Sequence, residues 1–149
     1  MKNTLVLIAI LILVSCSGNS PGTHAAENSD AENVSIDSAS IKYPEGEAVY
    51  LKTCVACHQA KGEGVTGAFP PLANSDYLFA DKNRAISQII NGSSGEMIVN
   101  GTTYNTIMPP QELTDEEVRD VMNYVLNAWG NDQGEVTLED VKKEKGIDL

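Results

Sequence analysis

The stretch KTCVACHQAKGEGVTGAFPPL, residues 52–72, carries the triple C-x-x-C-H at Cys54, Cys57 and His58. No other feature constrains the fold as strongly, because each chemistry open to the triple demands different surroundings. A structural zinc site needs four ligands, usually from two Cys/His pairs. A thioredoxin-like dithiol needs the motif at the start of a helix that follows a strand, so that the helix dipole lowers a thiol pKa. A c-type haem needs both thiols for its vinyl groups and the adjacent histidine beneath the iron.

For zinc, the remaining Cys and His are Cys16 and His24, one ending an apolar leader and the other in a polar stretch. Neighbouring Cys57 and His58 are also awkward co-ligands. For a dithiol, no βαβ pattern surrounds the motif, which falls at the end of a helical segment. A simple disulfide leaves His58 without a role. The haem reading uses all three residues. Composition points the same way: Phe 2, Trp 1, Tyr 5 and Met 4 are few large side chains for a core. A small domain so built has a thin interior, and a haem would fill it.

The N-terminus MKNTLVLIAILILVSC has one lysine, an apolar run from Leu5 to Val14 and then Ser15-Cys16. The run is short for a membrane span and suits the core of a signal peptide. Leu13-Val14-Ser15-Cys16 resembles the bacterial lipobox, which implies cleavage after residue 15 and a lipid on Cys16; the plainer alternative is an ordinary secretory signal. Residues 16–42, rich in Ser, Asn, Ala, Asp and Glu, read as a disordered tether. Its root-mean-square reach would be about 25–30 Å. The formal net charge of -11 excludes nucleic acid as a partner, since phosphate binding needs clustered Lys and Arg.

Order is expected from Tyr43. Pro44 suits a first helical turn, and Glu45 and Glu47 suit its positive end. The loop after His58 holds three glycines and two prolines between Lys61 and Ser75. Ile86, Ile89 and Ile90 mark a helix that Asn91-Gly92 ends. Met97 to Tyr104 reads as a hairpin about Asn100-Gly101. Pro109 and Pro110 keep residues 105–113 out of a helix. Thr114 and Glu117 form a capping box for a long helix carrying Val118, Val121, Met122, Val125, Leu126 and Trp129, which Gly130 ends. Residues 131–149 read as a tail with a short helix from Thr137 to about Lys145.

From about Tyr43 to Trp129 the chain resembles the class I c-type cytochromes. The likeness rests on a helix entering CVACH, the Pro-x-Leu of FPPLA, the methionine of TIMPP, and the final helix VRDVMNYVLNAW. The stretches GVTGAFPPLANSDYL and VNGTTYNTIMPP look most like the cytochrome domains that serve respiratory oxidases, reductases and membrane dehydrogenases. The resemblance implies an all-α fold around one covalent haem c, with a small β-hairpin, over residues 43–130. It implies thioether bonds at Cys54 and Cys57, His58 as proximal iron ligand, the Pro70 carbonyl on its other ring nitrogen, and Met108 as distal ligand. Met122 reads as core and Met97 as a packing residue or a haem neighbour, whereas Met108 lies in a proline-bound irregular segment. Gly46 and Tyr50 would meet Val121 and Tyr124 where the first and last helices cross. Trp129 is ill placed for the tryptophan that the family often buries near a haem propionate, so Tyr104 or Asn100 is expected there.

A haem closed on both faces has no vacant site for substrate, so the implied role is one-electron transfer and not enzymatic catalysis. The expected setting is the outer side of the cytoplasmic membrane, with the haem domain in the periplasm. The expected partners are a redox donor and acceptor, such as respiratory complexes or copper and haem proteins, met through a small apolar rim. Alternatives are a tightly bound electron-input subunit of an oxidase, nitrite reductase or dehydrogenase. A haem sensor or peroxidase would need an open sixth position.

Overall fold

The computed structural model describes residues 37–146. The signal segment 1–15, Cys16, His24 and most of the expected tether lie outside them. The helices are α1 (Ser38–Lys42), α2 (Pro44–Thr53), α3 (Val55–His58), α4 (Asp76–Ala80), α5 (Lys82–Asn91), α6 (Asp115–Asn127) and α7 (Leu138–Glu144). One antiparallel hairpin, β1 (Met97–Val99) with β2 (Thr102–Tyr104), completes the set. The described residues are therefore mainly helical with one small hairpin, as expected.

Short polar side chains start most of these helices by accepting from a free backbone N–H of the first turn. Ser75 caps α4, Asp81 caps α5, and Thr114 with Glu117 forms the capping box of α6. Gly92, at φ +75°, stops α5, where Met108 O and the Pro110 ring leave no room for a side chain. The hairpin turns through Asn100 (φ 50°) and Gly101 (φ 78°), two successive left-handed residues that match the twist of the strands. Its register pairs Met97 with Tyr104 and Val99 with Thr102.

Helix α6 is the hub, with Val118 and every residue from Val121 to Leu126 buried. On one side it crosses α2 at Gly46, where an added Cβ would lie 2.1 Å from Asp120 O and 2.8 Å from Tyr124 Cβ. Tyr50, Tyr124 and Trp129 close this crossing as a ring cluster with centroids 5.0–5.6 Å apart. Val121 lines the internal cavity described below.

At both edges of the expected domain the flanking residues pack against it, and the short helix expected from Thr137 is α7. Residues 37–42, assigned to the tether, are folded. Asp37 caps α1 and accepts from Trp129 N, Ala39 is buried, and Lys42 and Tyr43 both donate to Glu135. Residues 131–146, assigned to a tail, are also part of the domain. Val136 and Val141 are buried, and Asn123 exchanges two hydrogen bonds with the Val136 backbone. Both segments are polar overall, and single anchors separated by charged residues leave no periodic signal to read.

Candidate functional site

Helix α2 runs to Thr53 and breaks at Cys54, and α3 carries the rest of the motif as a single turn. His58 N and Cys57 N both bond to Cys54 O (3.0 and 3.2 Å), so the triple is wound into a compact loop. Gln59 follows at φ +64°, and its carbonyl accepts from the Tyr50 hydroxyl at 2.6 Å. The chain then doubles back through a short bridge between Val65 and Phe69. Gly64 is required there, because a Cβ would meet Phe69 O at 2.4 Å and Pro70 O at 2.7 Å. This return brings Pro70 O to 2.9 Å from Nδ1 of His58. Nδ1 thus donates to the carbonyl, leaving Nε2 as the nitrogen with a lone pair.

Met108 arrives from the opposite side of the sequence. Its backbone exchanges two 2.9 Å hydrogen bonds with Ser93, just beyond α5. Thr106 donates to Ala68 O at 2.5 Å, tying the methionine segment to the loop that carries Pro70. Between these walls lies a cavity of about 290 Å³. Cys54, Cys57, His58, Pro70 and Met108 all line it, with Leu72, Leu78, Ile89 and Val125 among its apolar groups.

Met97 and Met122 line the same cavity, so burial alone does not separate Met108 from its rivals. Their backbone settings differ: Met122 is inside α6 and Met97 inside β1, whereas Met108 lies in an irregular segment joined to Ser93 by two hydrogen bonds. Tyr104 lines the cavity, but Asn100 does not and is committed elsewhere. Its Oδ1 accepts from Asp76 N at 3.0 Å, and its own N–H donates to Asp76 Oδ1 at 2.7 Å. Trp129 is packed on Tyr50 and Tyr124.

Burial pushes the His58 imidazole below its usual pKa, against the opposing pull of the Pro70 carbonyl. Burial also raises the Cys54 thiol, with the Thr53 hydroxyl at 3.3 Å acting the other way. A buried, neutral imidazole is the form that ligates a metal.

The donor set fits haem c. Two unpaired thiols, an imidazole oriented by a carbonyl, and a thioether border one mostly apolar space. A thioredoxin-like site does not fit, since a helix and not a strand precedes Cys54. Sequence reading missed Thr106, Ser93 and Asn131, which hold the segments around Pro70 and Met108, because each acts through a contact distant in sequence.

A cytochrome c family profile matches residues 43–129. Cytochrome c-552 of Thermus thermophilus is 36% identical over 108 residues, covering 69% of this chain and 75% of its own. The cytochrome c subunit of the quinone alcohol dehydrogenase of Gluconobacter oxydans is 32% identical over 101 residues. That alignment covers 66% of this chain and 21% of the subunit. The fructose dehydrogenase cytochrome subunit of Gluconobacter japonicus is 29% identical over 134 residues, covering 83% of this chain and 26% of the subunit. The chain thus spans about a fifth to a quarter of these longer subunits.

Proposed function

This chain belongs to the cytochrome c family, an electron-carrying domain with covalently bound haem c, and we propose that it is a one-electron carrier with His58 and Met108 on the two faces of the iron. The observation that carries the reading is the shared cavity: Cys54, Cys57, His58 and Met108 all line it, with His58 Nδ1 held by Pro70. When bound, the haem supplies a ferric/ferrous couple. Cys54, at the junction of α2 and α3, and Cys57, within α3, would hold it covalently. His58 is kept in one tautomer and one orientation by the Pro70 carbonyl, which also strengthens it as a donor. The Met108 thioether favours the ferrous state and raises the potential.

Electrons would pass at the cavity mouth. Ile107 lines the cavity and is 73% exposed, and Cys57, which also lines it, is exposed. An apolar rim of this kind suits brief docking with another redox protein, with modest steering by the net charge of -11. The proposed setting is the outer face of a bacterial cytoplasmic membrane. There Cys16 would carry lipid after removal of residues 1–15, and the polar segment after it would tether the domain. Donor and acceptor are then membrane-associated respiratory proteins. The likeness to dehydrogenase cytochrome subunits favours a second reading, in which the chain is a resident subunit of such a complex. Co-purification at fixed stoichiometry distinguishes the two.

The deciding experiment is the oxidised and reduced absorption spectrum of the haem-loaded protein, repeated under carbon monoxide. A methionine-to-iron charge-transfer band that survives the gas is expected, and it should vanish in Met108→Ala with rapid carbon monoxide binding. Unchanged spectra in that variant would remove Met108 from the iron. An open site in the wild type would favour a sensor or a peroxidase.

A further inference from the structure

Residues just past the family match reach back to the loop that holds His58. Asn131 is buried (6% exposed), and both ends of its amide are used. Its Oδ1 accepts from Asn74 N at 2.9 Å, and its Nδ2 donates to Leu72 O at 3.2 Å and to Val125 O at 2.7 Å. Two of these bonds cross from the end of α6 to the stretch that follows Pro70. Asn74 sits at φ +51°, a left-handed backbone that needs such outside support.

The same stretch is held from below. Leu72 N and Ala73 N both donate to Gly62 O, at 2.7 and 2.9 Å. Gly62 has no room for a Cβ, because the Trp129 ring lies 2.5 Å from where one would be. Trp129 in turn donates its backbone N–H to Asp37 Oδ2 at 2.5 Å. So Trp129 and Asn131 grip the loop at two points, Gly62 and Leu72–Asn74. Between those points lies Pro70, whose carbonyl is the acceptor for His58.

We infer that Asn131 is a positioning residue for His58: by fixing Leu72 and Asn74 to the end of α6, it holds the Pro70 carbonyl against Nδ1. The inference rests on the proposed ligand role of His58. A firm Nδ1–H···O=C bond makes the imidazole a stronger donor, which favours ferric iron. Releasing the loop lengthens that bond, weakens the donor and raises the reduction potential. It also frees the Nδ1 proton to exchange with water.

A merely structural amide would lower stability without touching His58, and Asn123 supplies that control. It too is buried and makes two side-chain bonds to a distant backbone, at Val136, with no hydrogen bond to the loop. The experiment uses the full haem-loaded chain as wild type, Asn131→Ala, Asn131→Asp and Asn123→Ala. It measures the hydrogen-exchange rate of the His58 ring N–H by NMR in the reduced state, and the reduction potential. Asn131→Ala should speed the exchange by about tenfold or more and raise the potential. Asn131→Asp keeps an oxygen for Asn74 N but sets a carboxylate against the Leu72 and Val125 carbonyls, so it should also speed the exchange, and it serves if the alanine variant does not fold. Asn123→Ala should leave both at wild-type values while melting earlier. Wild-type exchange and potential in the Asn131 variants, or equal shifts in Asn123→Ala, would overturn the inference. Failure of the ligand reading is separate: His58→Ala would then keep a low-spin spectrum.

Discussion

Substituting Gly46 by alanine sets two effects of opposite sign against each other at the crossing of α2 and α6. Helix propensity favours the change by at most about 1 kcal/mol. Packing opposes it. The new Cβ would sit 2.1 Å from Asp120 O, 2.7 Å from Asp120 C and 2.8 Å from Tyr124 Cβ. Ordinary contact begins near 3.4 Å, so α2 and α6 would have to part by about 1.3 Å. The closest atoms are backbone and cannot rotate away. Nor can α6 tilt freely, because its Tyr124 is packed against Tyr50 and Trp129. Overpacking of this kind costs about 3 kcal/mol at the upper end of its usual range. The net loss is therefore about 2 kcal/mol, or roughly 10 °C in melting temperature for a domain of this size. Urea denaturation of the haem-loaded protein, followed by far-UV circular dichroism, should show the midpoint falling by about 1 M at an unchanged slope. A midpoint at or above wild type would mean that the crossing has slack, and the close-packing reasoning would be refuted.

Two further outcomes follow from the edges of the domain. Deleting residues 131–149 should cost about 3–5 kcal/mol, because it exposes the pockets of Val136 and Val141 and unpairs Asn123; a truncated protein with the wild-type urea midpoint would make the segment an appendage after all. Asp140 is held below its usual pKa by the Thr137 backbone N–H and then by the Thr137 hydroxyl. A carboxylate whose folded pKa is lowered adds stability that is complete above its unfolded value and is lost as pH falls through the folded one. The stability difference between wild type and Asp140→Asn should therefore be flat above about pH 5 and shrink below about pH 4; a difference that grows on acidification contradicts the assignment.

Much of the architecture was legible because it is written in local rules. Thr114 and Glu117 announce α6, Asn100-Gly101 announces the hairpin, and Asn91-Gly92 ends α5, each through backbone chemistry within a few residues. The same holds for the break at the double proline. The domain's limits were not legible: Asp37, Glu135, Val136 and Val141 matter through partners far along the chain.

At the site, C-x-x-C-H left three chemistries open, and its surroundings selected haem, because no second Cys/His pair serves zinc and no βαβ pattern serves a dithiol. The resemblance supplied Pro70 and Met108, and the structure brings both to the cavity bordered by His58. It moves Asn100 away from that cavity, onto Asp76. What the sequence determined is what short-range sterics and donor type decide: helices, turns, and the residues able to bind haem. Only the tertiary structure decided how the loop is held, through Thr106 on Ala68, Ser93 on Met108, and Asn131 on Leu72 and Asn74. Each of those is a single hydrogen-bonding contact between segments remote in sequence. Such a contact obeys no period and leaves no pattern until the chain has folded.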